Sequence, residues 1–311
     1  MAFRLLVSLI SIALALPALA KKKDETPKAD WAFVEKKLTK AKMNKAFIKE
    51  LKRLYETKDF AATVELNTLL FLRAPNHHDL LSPDAVEKTR TFMTKNKTAL
   101  DKAEKSHGVP GSVIASLLWI ETKHGKDLGR FHVPSVYAHL LQADRPLVLK
   151  HLKTAGTKYK TKLTKADLKG IDTRAKKRVA WALLELKALQ TMHKRNPKAL
   201  VGLKGSFAGA FGYPQFIPSS YVKWSRSQSK GKPADLTKPA DAIESVAFYL
   251  KDNGWKKAEK SHTKALMRYN NSDTYAAAII ELAAKARRGP GTPIAKRDTA
   301  SEKKKAKTKK K

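Results

Sequence analysis

The chain has 311 residues, no cysteine, and 64 lysine and arginine residues against 28 aspartate and glutamate residues, a net charge of +36. This length suffices for one large domain or two ordinary ones. The absence of cysteine excludes a disulfide framework and a lipid-modified cysteine. The positive charge favours an anionic partner, either nucleic acid, an acidic membrane surface or an acidic polymer, although scattered lysines also serve solubility alone.

Residues 1–20 have the parts of a secretory signal peptide. Arg4 supplies the positive start, LLVSLISIALAL the apolar centre, and Ala18-Leu19-Ala20 a cleavage site of the A-x-A type. A transmembrane anchor is the alternative, but the apolar run is short and KKKDE follows it at once. We therefore expect an exported protein, periplasmic or secreted, that is soluble after cleavage and has no lipid anchor. Export argues against nucleic acid as a partner.

Apolar residues at spacings of three and four predict helices through most of the chain after a charged leader, residues 21–30. The helical N-terminal part spans residues 31–103, and the segment at His107-Gly108-Val109-Pro110 interrupts the pattern. Residues 142–175 are rich in lysine and threonine with weak periodicity, which predicts a basic insertion, and a strong helical pattern resumes at Lys176. No alternating strand pattern stands out, so the predicted class is mainly α.

The C-terminal tail, residues 296–311, holds nine lysine and arginine residues against Asp298 and Glu302. It lacks the apolar residues that a packed core requires. We predict a disordered basic tail, which could contact an anionic envelope surface or could be a solvated end without function.

Glu121 follows directly on VIASLLWI, an apolar run without formal charge. On a helix it shares one face with Leu117 and Leu118, so its carboxyl group should face the core or a cleft wall. Desolvation there raises the pKa of a carboxyl group, and a carboxylic acid that keeps its proton near neutral pH can act as a general acid. The helix alone also allows a buried carboxyl group without a catalytic role.

The segment GSFAGAFGYPQFIPSSY, residues 205–221, contains three glycines and two prolines, which exclude one regular helix. Its aromatic rings offer flat apolar faces, and Ser206 and Gln215 add hydrogen-bonding groups. This combination suits a sugar ring, which is apolar on its face and polar at its rim. Tight packing between core helices fits the composition equally well.

This segment is similar to the signature of the B-type membrane-bound lytic murein transglycosylases, a family of the lysozyme-like superfamily that cleaves bacterial peptidoglycan. Three more stretches resemble that family in the same order: GVPGSVIASLLWIETKHG, DAIESVAFYLKDNGW and RYNNSDTYAAAIIELA. The resemblance covers about residues 31–287. It implies a catalytic region over residues 31–295, with a lysozyme-like core at 104–288 and an additional helical N-terminal region.

The resemblance also implies roles for individual residues. Glu121 matches the family's single catalytic glutamate, which acts first as an acid and then as a base. The residues that the resemblance assigns to the substrate groove are Ser206, Gln215, Phe216, Tyr249, Tyr269, Asn270 and Tyr275. Core packing is the competing role for the aromatic residues, above all for Tyr249 and Tyr275.

The implied reaction is cleavage of the bond between N-acetylmuramic acid and N-acetylglucosamine with formation of a 1,6-anhydro ring, without a cofactor. The implied partner is the glycan strand of peptidoglycan, and we expect a monomer. Two alternatives stay open: a lysozyme-type peptidoglycan hydrolase and a non-catalytic envelope-binding protein.

We expect no metal site. Members of the resembled family often carry an aspartate-rich loop before the DAI helix. Here that stretch reads SRSQSKGKPADL, in which Asp235 is the single acidic residue. Calcium requires several charged oxygen ligands, so this loop lacks the donors for it.

Overall fold

The structure is a computed structural model that describes residues 26–73 and 83–288. The predicted signal peptide, the first half of the leader and the basic tail lie outside the described residues. In the described part of the chain, no helix is both long enough and apolar enough to cross a membrane.

Helices form most of the described chain, which confirms the predicted mainly α class. The first five are α1 (Trp31–Lys40), α2 (Lys45–Leu54), α3 (Phe60–Leu69), α4 (Pro83–Lys95) and α5 (Lys97–His107). The next four are α6 (Gly111–Thr122), α7 (Val133–Leu140), α8 (Pro146–Ala155) and α9 (Lys165–Arg195). The last four are α10 (Pro218–Trp224), α11 (Pro239–Asp252), α12 (Glu259–Tyr269) and α13 (Asp273–Arg287).

Two short strands, β1 (Phe131–His132) and β2 (Lys204–Gly205), form one antiparallel pair. They join the chain after α6 to the start of the glycine-rich segment, which we define as residues 205–217. Two isolated antiparallel bridges, Gly205 with Phe211 and Phe211 with Phe216, fold that segment back on itself. Its backbone also lies next to the C-terminal end of α6, where Thr122 donates to the Tyr213 carbonyl oxygen.

Helix α6 is the central helix of the main hydrophobic core. Every residue from Gly111 to Trp119 is buried, and α6 packs against α4, α5, α11 and α13. A helix that is apolar on all sides belongs inside a protein. The sequence run before Glu121 is therefore enclosed by other helices, and Glu121 stands where α6 reaches the edge of the core.

Residues 142–175 contain more helix than their weak periodicity indicated. Helix α8 lies within this stretch, and α9 begins at Lys165, eleven residues before the predicted start at Lys176. A capping box starts α9, because the Thr164 side chain accepts from the Asp167 backbone N–H and the Asp167 side chain accepts from Thr164. Whether the stretch is an insertion stays a prediction.

A second, smaller hydrophobic core explains why this lysine-rich stretch is helical. It joins α3 and the turn after it to α8 and the first turns of α9, and its buried members are Phe60, Val64, Leu69, Leu72, Ala143, Val148, Leu152, Ala155, Ile171 and Ala175. The lysines that surround these positions obscure the spacing of the few apolar residues. Burial of that narrow apolar stripe stabilises the helices.

Gly209 is tightly packed and has a positive φ of 76°, and a β-carbon there would lie 2.5 Å from the Tyr137 ring. Gly202 has a similar φ of 65° but open space around it. We expect Gly209→Ala to lower the free energy of unfolding by roughly 1–3 kcal/mol more than Gly202→Ala, because both share the backbone strain and only the first adds a clash. Urea unfolding of the two variants measures the difference, and equal losses would contradict the predicted crowding.

Candidate active site

Glu121 is the second-last residue of α6 and is partly exposed, next to the buried Thr122. The hydroxyl group of Tyr275 on α13 donates a hydrogen bond to Glu121 Oε1. Burial raises the pKa of Glu121 from its ordinary value of 4.5 to about 8, and the Tyr275 hydrogen bond acts in the opposite direction. The predicted upward shift is thus confirmed, and this carboxyl group is mostly protonated at neutral pH.

Four of the predicted groove residues form one aromatic cluster beside Glu121. Tyr275 stacks on Tyr269 with ring centroids 6.5 Å apart, and Tyr269 meets the edge of Tyr249 at 4.8 Å. Phe216 lies 5.7 Å from Tyr249 and 5.9 Å from Tyr269. The cluster therefore joins the glycine-rich segment, α11, α12 and α13 around one carboxyl group.

Packing is what the structure shows for most of these rings. Phe216, Tyr249 and Tyr275 are all buried, and the Tyr249 hydroxyl donates to the Arg268 carbonyl oxygen at 2.6 Å. The Tyr269 hydroxyl donates to the Pro214 carbonyl oxygen. Contact of these four residues with a substrate stays a prediction.

Asn270 is the C-cap residue of α12 and is 4% exposed. Neither its side-chain oxygen nor its side-chain nitrogen has a hydrogen-bond partner within the described residues. A buried amide without partners is costly, so such a group calls for a water molecule or a ligand as its partner. This is consistent with the predicted role of Asn270 at a polar group of the substrate.

Ser206 and Gln215 are buried, and their side chains bond to the loop backbone. Ser206 Oγ accepts from the Ala210 N–H at 3.2 Å. Gln215 Nε2 donates to the carbonyl oxygens of Gly212 at 3.0 Å and Leu128 at 3.4 Å. These contacts shape the glycine-rich segment, and direct substrate contact by either residue stays a prediction.

Three residues that the sequence reasoning missed hold the glycine-rich segment by its carbonyl groups. Thr122 Oγ1 donates to Tyr213 O at 3.0 Å, and the Tyr137 hydroxyl donates to the carbonyl oxygens of Ala208 and Gly209 at 3.1 Å. Asn67 Nδ2 donates to Phe207 O at 2.7 Å. All three contacts cross 71 or more residues, so the one available signal was the position of Thr122 directly after Glu121.

Asp241, another missed residue, organises the loop that was compared with a calcium-binding loop. Its Oδ1 accepts from the Gln228 N–H at 2.8 Å, and its Oδ2 accepts from the Asp235 N–H at 2.7 Å. No group of three or more histidine, aspartate or glutamate side chains is placed to hold a metal ion in residues 26–73 and 83–288. The Asp241 carboxylate holds this loop through its two direct hydrogen bonds to the loop backbone.

The site thus combines the Glu121 carboxyl group with its raised pKa, the aromatic cluster, and the Asn270 amide, which has no hydrogen-bond partner within the described residues. Solved structures of lytic transglycosylases have the same mainly α fold. The chain belongs to the family described as Transglycosylase SLT domain, which matches residues 77–265. The resemblance stated from the sequence motifs is thereby confirmed.

A similar curated protein is the membrane-bound lytic murein transglycosylase B of Escherichia coli strain K12. The two sequences are 29% identical over 180 residues, which cover 58% of this chain and 41% of the Escherichia coli protein. The match therefore spans less than half the length of that relative.

Two solved structures illustrate the fold. The soluble lytic transglycosylase SltB1 of Pseudomonas aeruginosa aligns with 84% of this chain and 99% of its own, at a TM-score of 0.63 and 20% identity. SltB3 of the same organism, in complex with NAG-NAM-pentapeptide, aligns with 83% of this chain and 79% of its own, at a TM-score of 0.62 and 16% identity. At these identities the likeness establishes the fold.

Proposed function

We propose that this chain is a lytic transglycosylase that cleaves the β-1,4 bond between N-acetylmuramic acid and N-acetylglucosamine in peptidoglycan. The observation that carries the proposal is the Glu121 carboxyl group, whose pKa is raised to about 8 beside a tyrosine cluster. The family membership and the murein transglycosylase of Escherichia coli support the substrate class.

The reaction begins with Glu121 in its protonated form. Its proton goes to the glycosidic oxygen, the bond from that oxygen to C1 of the muramic acid breaks, and the bonding electrons leave with the oxygen. C1 becomes oxocarbenium-like, and the acetamido group of the substrate stabilises it. The protonated form is the one that burial favours, so the acid is ready when the substrate binds.

In the second half of the reaction, Glu121 acts as a base. Its carboxylate accepts the proton of the muramoyl 6-hydroxyl group while that oxygen bonds to C1 and closes the 1,6-anhydro ring. Glu121 ends in its protonated form, and the step consumes no water. The hydroxyl group of Tyr275 stabilises the intermediate carboxylate, because a hydrogen bond to the charged form lowers its free energy.

A single acidic residue suffices for this route, whereas most glycosidases use two carboxyl groups. Asp127 is the nearest carboxylate in sequence. It is exposed, and its Oδ1 accepts from the Gly129 backbone N–H at 3.2 Å. The 6-hydroxyl group of the substrate takes the place of the nucleophile that a second residue would otherwise supply or activate.

Mass analysis of the products from purified peptidoglycan tests the proposal. The expected muropeptides end in 1,6-anhydromuramic acid and are lighter by one water than the products of hydrolysis. Reducing muramic ends would establish the lysozyme-type hydrolase instead. Binding to peptidoglycan without any cleavage by the wild-type protein would establish a non-catalytic envelope-binding protein.

The proposal includes export of a monomer that acts on glycan strands, without a lipid anchor or a cofactor. It also includes contact of the basic tail, residues 296–311, with an anionic envelope surface, which only the charge of the tail supports. The expected sign of that contact is co-sedimentation with envelopes that weakens as salt is raised and that deletion of the tail reduces. Salt-independent co-sedimentation would contradict it.

A further inference from the structure

Glu185 is a buried glutamate on α9 that the proposed reaction does not use. It is 3% exposed. Its Oε2 accepts from the backbone N–H of Ser219 at 2.8 Å, and its Oε1 accepts from the Ser219 hydroxyl group, also at 2.8 Å. Both carboxylate oxygens are thus directed at one residue in the first turn of α10.

This contact holds the start of α10. The N–H groups of a first helical turn have no partner within their helix, and a carboxylate there both accepts from them and complements the helix dipole. Burial raises the pKa of Glu185, and the two hydrogen bonds from Ser219 and one from the Trp181 side chain act against that shift. Burial of a carboxyl group costs free energy, so burial alone does not indicate a role for Glu185. The hydrogen bonds to Ser219 are the observation that indicates one.

Helix α10 begins where the glycine-rich segment ends, so Glu185 fixes the C-terminal end of that segment. The middle of the same segment is also held by hydrogen bonds, from Tyr137 of α7. Tyr137 donates to the Ala208 and Gly209 carbonyl groups, and its ring meets Trp181 of α9 edge-on at 5.4 Å. Helix α9 therefore supports the segment at two points, one direct and one through Tyr137.

Between these two points lie Gln215 and Phe216, two of the predicted groove residues. Gln215 has a positive φ of 47°, which a residue other than glycine adopts only when its surroundings hold it. Phe216 contacts Tyr249 and Tyr269 of the aromatic cluster. A shift of the start of α10 would therefore move the segment that lies against the tyrosines beside Glu121.

We propose that Glu185 is a positioning residue for catalysis, which acts through Ser219 to hold the glycine-rich segment in place against the aromatic cluster. This inference rests on the proposed function, because it concerns the same site. Glu185 itself does not contact the substrate in this scheme. Its effect passes through the hydrogen bonds to Ser219 and from there to Gln215 and Phe216.

Glu185→Leu and Glu185→Gln separate the hydrogen bonds from the charge. Leucine keeps a similar size and removes both bonds from Ser219 together with the one from the Trp181 side chain. Glutamine is neutral but can accept from the Ser219 N–H and donate to the Ser219 hydroxyl oxygen. With a soluble peptidoglycan fragment as substrate, we expect Glu185→Leu to lower kcat/KM roughly 10-fold to 100-fold, as small displacements of catalytic geometry do. Glu185→Gln should stay within about threefold of wild type, because it can keep both bonds.

Ser219→Ala gives a milder test should Glu185→Leu fail to fold. It removes one hydroxyl group and should lower kcat/KM by less than Glu185→Leu. If Glu185 acts through Ser219, the double variant should be no worse than Glu185→Leu alone. Additive losses in the double variant would overturn the proposal.

Glu65→Leu is the control for a general loss of stability. Glu65 pairs with His151 at 2.7 Å and with Lys158 at 3.3 Å, so its carboxylate joins α3 to α8 and the turn after it and not to the glycine-rich segment. The variant Glu65→Leu should lower the midpoint of thermal unfolding and leave kcat and KM at 25 °C unchanged, whereas Glu185→Leu should change kcat/KM. Unchanged kcat/KM in Glu185→Leu, or equal losses in Glu185→Leu and Glu185→Gln, would overturn the positioning role. Inactive wild-type protein would instead overturn the proposed function itself.

Discussion

Replacement of Glu121 by glutamine is expected to lower the rate of peptidoglycan cleavage by roughly 10³-fold or more, since positioned acid–base groups commonly contribute 10²–10⁴-fold and this residue acts in both steps. The amide keeps the shape of the side chain and can still accept from the Tyr275 hydroxyl group. It cannot transfer an acidic proton to the glycosidic oxygen or accept one from the 6-hydroxyl group. The measurement is the initial rate of muropeptide release from purified peptidoglycan.

Asp127→Asn is the matched control for Glu121→Gln, because it makes the same chemical change six residues away on an exposed carboxylate. Its rate should stay close to that of wild type. Circular dichroism should show both variants folded. Full cleavage activity in Glu121→Gln would remove this residue from the mechanism.

The stability of Glu121→Gln gives an independent check on the environment of the carboxyl group. The folded-state pKa of about 8 lies above the ordinary value of 4.5, so the folded state holds this proton more tightly than the unfolded state. The resulting stabilisation of wild type is complete below pH 4.5 and is lost as the pH rises through about 8. Glu121→Gln does not titrate, so its stability relative to wild type should rise over that interval.

The helical class and the position of Glu121 at the edge of the core were predictable, because the buried face of a helix requires apolar residues at regular spacings in the sequence. Eight uncharged residues before Glu121 indicated an enclosed helix, and α6 is buried from Gly111 to Trp119. The upward shift in pKa followed from the same pattern, since desolvation needs only burial. These inferences depend on neighbours within one or two turns of α6.

The contacts that shape the site were not predictable in the same way. Tyr275 is 154 residues from Glu121, and Glu185 is 34 residues from Ser219. No spacing rule joins such pairs, because the packing of separate helices brings them together. The early start of α9 was missed for a related reason, since its first turns are stabilised by a small core shared with α3 and α8.

The pH dependence of cleavage should follow the protonated fraction of free Glu121. The expected kcat/KM is constant below the Glu121 pKa, falls through about pH 8, and then decreases about tenfold per pH unit, as for any single group that must carry a proton. The proton sits on the reacting group before the first bond breaks, so alkaline conditions remove the competent form. A rate that rises through pH 8 would contradict Glu121 as the initial acid.

Tyr275→Phe should move the midpoint of that alkaline limb to higher pH. The Tyr275 hydrogen bond lowers the pKa of Glu121 against the larger effect of burial, so its loss lets burial act unopposed and the proton is held more tightly. Tyr249→Phe is the control within the same cluster, because the Tyr249 hydroxyl donates to Arg268 O instead, and its midpoint should stay in place. An unchanged or lower midpoint in Tyr275→Phe would show that this hydroxyl does not set the proton affinity of Glu121. A higher midpoint with a lower plateau would mean that the same hydrogen bond stabilises the carboxylate formed when the glycosidic bond breaks.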